Sequence, residues 1–112
     1  MLQTGATATD VYSVLVIDMY QHDANEEIIV RGFATIELAT EYARRRTRDS
    51  VEELRQASQN ARTLRRRWLH FGKDCCVIGQ LYCGVSELDY FITHPATHEE
   101  RDWQTIEAML RP

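Results

Sequence analysis

The chain is 112 residues long, 44% hydrophobic and 27% charged, with a formal net charge of −4. That is room for one ordinary domain with a real core, and the balance excludes a disordered, low-complexity tail. No apolar run approaches the roughly 20 residues that a helix needs to cross a bilayer. The start, MLQTGATATD, lacks the basic and apolar segments of a secretory signal, so a cytoplasmic protein with no membrane partner is expected. Three cysteines are an odd and small number, which argues against a disulfide framework.

Residues 1–10 are small and polar and are expected to fray, leaving 11–112 as a single α+β domain. VYSVLVID, from Val11 to Asp18, is dense in β-branched residues and predicts a strand. Tyr12, Val14 and Val16 share one face while Val11, Leu15 and Ile17 share the other. With apolar residues on both faces, this strand should be central and covered by helices on at least one side. Gln21 to Asn25 carry turn chemistry. Ile28 to Phe33 read as a second strand, antiparallel to the first.

Thr35 suits the cap of a helix starting near Ile36, with Ile36, Ala39, Tyr42 and Ala43 facing the sheet. Ser50 and Glu53 have the spacing of a capping box, so a second helix is expected to restart there. Val51, Leu54, Ala57, Ala61, Leu64, Trp68 and Phe71 then define an amphipathic helix of close to six turns, ended by Gly72 as a left-handed cap. Small Ala57 and Ala61 would admit another helix, from this chain or a second copy. CCVIG predicts a third strand, and Gly79 and Gly84 bracket a flexible connection. Ser86 and Asp89 suggest caps of a short helix bearing Leu88, Phe91 and Ile92, which Pro95 stops. Thr97 and Glu100 form another capping box, ahead of a terminal helix with Trp103, Ile106 and Leu110. The expected architecture is α+β: an antiparallel sheet of two or three strands packed against three or four helices, one of them long and amphipathic.

Charge is segregated. From Arg44 to Lys73 the chain holds ten basic residues against three acidic ones, a net +7 that leaves −11 on the remainder. Arg44, Arg45, Arg46, Arg48, Arg62, Arg65, Arg66 and Arg67 are therefore the candidate polyanion-binding set. A solvated, internally paired or dimer-paired face is the favoured account of them, because the overall acidity runs against a dedicated nucleic-acid binder. His70, Cys75, Cys76 and Cys83 lack zinc-site spacing, and adjacent strand cysteines point to opposite faces, so one of Cys75 and Cys76 reads as a core residue and no metal is expected. His94 and His98 straddle Pro95 and read as exposed loop histidines. Trp68 and Trp103 sit on apolar helical faces. No phosphate loop, dinucleotide fingerprint or nucleophile elbow is present, and no cofactor is expected.

From Tyr12 to about Ile92 the chain resembles a family of small uncharacterised bacterial proteins. The resemblance rests on YSVLVIDMYQHDANEE, on RGFATIELATEYARR with its Gly32-Phe33-Ala34-Thr35 turn, on Phe71-Gly72-Lys73-Asp74, and on Ser86-Glu87-Leu88-Asp89-Tyr90. It departs at Cys75, where the family has proline, and it brings no activity or cofactor with it. Gly32 at this turn reads as a close-packing residue against a helix. Asp18, Tyr20 and His22 are polar groups at a strand end that do little for a core, and with Asp74 they form the candidate ligand-binding site. The leading expectation is a non-enzymatic binding or accessory module, dimeric and using its helices as the partner surface, with a protein or small molecule as partner. The alternatives are an enzyme with acid–base groups at that strand end and weak nucleic-acid binding through the arginines.

Overall fold

A computed structural model describes residues 12–20 and 27–110. The expectations for residues 1–10, Val11, the Gln21–Asn25 turn and His22 fall outside the described residues. Three strands, β1 (Tyr12–Asp18), β2 (Ile28–Phe33) and β3 (Lys73–Val77), form an antiparallel sheet in the order β2-β1-β3. Four α-helices accompany it among the described residues: α1 (Ile36–Arg55), α2 (Ala61–Phe71), α3 (Leu88–Thr93) and α4 (Gln104–Glu107). The α+β architecture with β1 at its centre is thus the one the apolar patterning predicts.

The sheet turns one face to the helices. Val14 and Val16 of β1 lie across from Val77 and Cys75 of β3, and all four are buried with Phe33, Ala39, Tyr42 and Ala43. Alternation along a strand sends Leu15 and Ile17 to the opposite face, where neither is fully buried. Gly32 serves a different purpose from helix packing. Tyr12 is opposite Phe33 but Ser13 is opposite Arg31, so Gly32 is the extra residue of a β-bulge, at a φ of 102°. Only glycine takes that backbone conformation cheaply.

The helical boundaries differ from the predicted ones. Thr35 caps α1 as expected, its hydroxyl accepting from the Leu38 amide. The helix then runs through Ser50 without interruption, because the Ser50 hydroxyl has tertiary duties. Buried, it donates to the carbonyl of Thr47 or Lys73 and accepts from the Trp68 indole N–H at 2.8 Å. The break comes at Gln56–Asn60, where Asn60 caps α2 through the Thr63 amide. The long helix is therefore α1, and the predicted six-turn helix is divided between two elements. Ala57, Ala61 and Phe71 are exposed while Leu64 and Trp68 carry the burial of α2. Gly72 is extended, at φ −78° and ψ 179°, rather than left-handed. It is required for space, since a Cβ there would lie 2.3 Å from the Trp68 ring.

Near the C-terminus, Thr97 and Glu100 do make the reciprocal bonds of a capping box, at 3.2 and 2.9 Å. The box opens only a 3-10 turn, Glu99–Arg101, and α4 begins separately under an Asp102 side chain that accepts from Thr105. Likewise Asp89 is no cap. It pairs with Arg65 on α2. The cysteines depart from expectation too: Cys76 and Cys83 are joined in a disulfide, and only Cys75 is free, buried in the core. A turn at Ile78–Leu81 folds the chain back so that Cys83 forms an antiparallel bridge with Cys76, a proximity that counting cysteines does not register.

Candidate functional site

Asp18, Tyr20 and Asp74 come from the end of β1 and the start of β3. Asp18 is paired with Lys73, and Ile17 with Asp74, so successive residues place the two carboxylates on opposite faces of the sheet. They do not converge. Asp18 accepts from the Tyr20 amide at 3.0 Å in a local turn, and the Tyr20 ring packs on Phe71 with centroids 5.3 Å apart. Asp74 is buried, and its Oδ1 accepts from the Val85 amide at 2.8 Å. Burial pushes its pKa up against the Val85 and Cys75 amides that favour the carboxylate.

The arginines divide into two groups. Those of α1 are used internally. Arg44 pairs with Glu87, Arg45 with Glu41, and Arg46 lies 4.0 Å from the Trp103 ring centre while pairing with Glu107. Arg48 is buried against the Tyr90 and Phe91 rings and donates to the His94 carbonyl. Arg55 reaches the same corner, donating to the carbonyls of Phe91 and Ile92. Carbonyls at the end of a helix lack intrahelical donors and concentrate negative potential, so α3 is tied down by guanidinium groups from α1. On α2 only Arg65 has an ion-pair partner among the described residues. Arg62, Arg66 and Arg67 are exposed and unpaired there. The eight-arginine surface is thus reduced to one helix, which bears no acidic residue.

Two concavities bear on function. The larger, of about 500 Å³, lies beside α1 and is lined by Asp49, Glu53, His98, Arg101 and Asp102. Its charges are largely spoken for: Arg101 and the Trp103 indole both donate to Asp49, and Thr105 donates twice to Asp102. The second is an apolar groove of about 360 Å³ between α2 and α3. It is lined by Ala61, Ile92 and Thr93 and edged by Arg62, Arg65 and Asp89. A neighbouring hollow shares Ala61 and Ile92 and extends the groove to Leu64 and Arg55. Comparison with protein-family models, with curated proteins and with solved structures found no match.

The groove is the better-equipped site. Its floor is apolar and its edge is mainly guanidinium, an arrangement suited to an apolar anchor flanked by carboxylates. Sequence reading singles out Ala61 as a place of close approach and Arg62 and Arg65 as cations, but not Ile92 as their neighbour. Only the packing of α3 against α2 brings Ile92 alongside.

Proposed function

We propose that this chain is a small non-enzymatic binding module, and that its helices form the partner surface. The observation that carries this reading is the α2–α3 groove, where exposed Ala61 lies beside largely buried Ile92, between Arg62, which is unpaired among the described residues, and the Arg65–Asp89 pair. The partner it fits is a protein segment with apolar side chains on one face and acidic ones beside them. Nucleic acid fits less well, because the arginines of α1 are engaged within the fold and the chain as a whole is acidic.

The test uses two labelled helical peptides of about four turns, with leucines at three- and four-residue intervals and either glutamate or lysine elsewhere. Fluorescence anisotropy should show binding of the glutamate peptide, weakened by salt. Arg62→Glu with Arg65→Glu should lower that affinity about tenfold, as expected for two exposed charge reversals worth roughly 0.5–1 kcal/mol each. Equal binding of both peptides, or no binding of either, overturns the reading. Retention of a single-stranded oligonucleotide that the same two substitutions abolish would replace it with polyanion binding.

A second reading concerns the sheet. The face opposite Val14 and Val16, which no α-helix covers among the described residues, presents Leu15 and Ile17 with Ile29 and Ile78, the last two being 44% and 45% exposed. A sheet apolar on both faces needs a layer on each, and a second copy of this chain offers a matching apolar face. Sedimentation at tens of micromolar should then show a dimer that Ile29→Lys dissociates, and a strict monomer removes the idea. Cytoplasmic placement belongs to the same proposal, and in that compartment cysteines are held as thiols.

A further inference from the structure

Asp74, Cys76 and Cys83 present a carboxylate oxygen and two sulfurs all within 4.8 Å of one another. We infer that, when the Cys76–Cys83 disulfide is reduced, these three residues bind a thiophilic divalent cation of the zinc class. Asp74 and Cys76 are two apart on β3, so both project from the face opposite Cys75 and Val77, and the turn after Val77 returns Cys83 to them. Gly79 makes that return possible. It holds φ +83° in a turn closed by the Gln80 amide on the Val77 carbonyl, a geometry that calls for glycine.

The carboxylate is the second, independent sign. Asp74 is buried yet has no cationic partner among the described residues. Buried carboxylates are ordinarily paired with a cation or coordinate a metal. Its two oxygens have different tasks. Oδ1 is held by the Val85 amide, and Oδ2 lies 3.8 Å from the Cys76 sulfur. An outer hydrogen bond that fixes one oxygen and leaves the other beside a sulfur is how proteins orient a ligating carboxylate. Cys75 takes no part, being buried on the opposite face beside Thr47. Three protein ligands leave one position of a tetrahedron open to water.

The states interconvert with defined bookkeeping. A phosphine reductant cleaves the S–S bond, takes up a water oxygen as phosphine oxide, and leaves two thiols carrying that water's protons. Metal binding then releases both thiol protons. The experiment is anaerobic titration of the phosphine-reduced full-length protein with cobalt(II). It should give thiolate-to-metal charge-transfer absorption saturating at one equivalent, bleached by zinc, and the oxidised protein should give none. Cys83→Ser should abolish the band, and Asp74→Asn should weaken binding at least roughly tenfold. To guard against a variant that fails to fold, alkylation of the reduced wild-type chain is followed by peptide mapping. Zinc should protect Cys76 and Cys83 specifically. Absence of the charge-transfer band in the reduced wild-type protein, its persistence in Cys83→Ser, or alkylation unaffected by zinc overturns the assignment.

Discussion

Gly72→Ala should destabilise the fold by about 2–4 kcal/mol, and most of that cost should vanish in a chain that also carries Trp68→Ala. The methyl group would stand 2.3 Å from the indole Cδ1 and Nε1 and 2.6 Å from Cε2, so the ring must leave its place. Trp68 is fully buried, and its N–H is held by Ser50. Displacement therefore combines overpacking, about 1–3 kcal/mol, with loss of a buried hydrogen bond, about 1 kcal/mol or more. Trp68→Ala alone should cost about 3–5 kcal/mol through the cavity it leaves, a large share of the roughly 5–15 kcal/mol typical of a domain. Because the three nearest atoms to the added methyl all belong to the indole, the double variant should be far more stable than additivity allows. Urea unfolding of the four proteins measures the coupling. An additive cycle would mean that Gly72 is needed for some other reason than the space the ring occupies.

That junction also shows where local sequence signals stop. Ser50 with Glu53 has the form of a capping box, and Gly72 follows a helix as a left-handed cap does. Both signals are local, and both are overridden by Trp68, which takes the Ser50 hydroxyl and occupies the space beside Gly72. The strands were legible because their information is in the alternation itself: Val14 and Val16 meet Val77 and Cys75 through a period of two. The two ends of the predicted six-turn helix were equally periodic, and only Asn60, a cap preceded by polar Ser58 and Gln59, marks the division. An apolar repeat alone does not say whether the backbone is continuous beneath it.

For the site, the sequence names the ingredients but not the meetings. Asp18 and Asp74 look like companions, yet the register that pairs Ile17 with Asp74 separates them by one step of the pleat. The grouping of Asp74 with Cys76 needs only that same alternation, and Gly79 between Cys76 and Cys83 is a turn signal that places the second sulfur. Ile92 beside Ala61 is a different matter, since the packing of α3 on α2 depends on Arg48 and Arg55 reaching carbonyls some forty residues away. Nothing at short range in the sequence encodes that contact.

Those arginine anchors lead to the second large effect. Glu52→Ala should cost about 2–3 kcal/mol, and Glu52→Gln should flatten the acid limb of the stability curve. Glu52 is buried, receives both Nε and Nη2 of Arg55 at 2.8 and 3.0 Å, and accepts from the Ala96 amide at 3.0 Å. It thus clamps α1 to the segment after Pro95 and orients the guanidinium that holds the end of α3. Removing one partner of such a pair ordinarily costs about 3–5 kcal/mol, and the lower figure applies because Arg55 retains some access to water. Burial alone would favour the protonated form of Glu52. The Arg55 and Ala96 hydrogen bonds outweigh it and hold the carboxyl below its ordinary value. A glutamate whose folded pKa is depressed binds protons more readily when unfolded, so its contribution is complete above the ordinary value of 4.5 and is lost as pH falls through the lower folded value. Glu87, lowered by Arg44 and Tyr82 against its own burial, acts in the same direction. Urea midpoints should therefore stay level through neutral pH and drop below that point, less steeply in Glu52→Gln. An acid limb identical in the wild type and the variant would show that the clamp is held by the Ala96 contact, which glutamine preserves, and not by the charge.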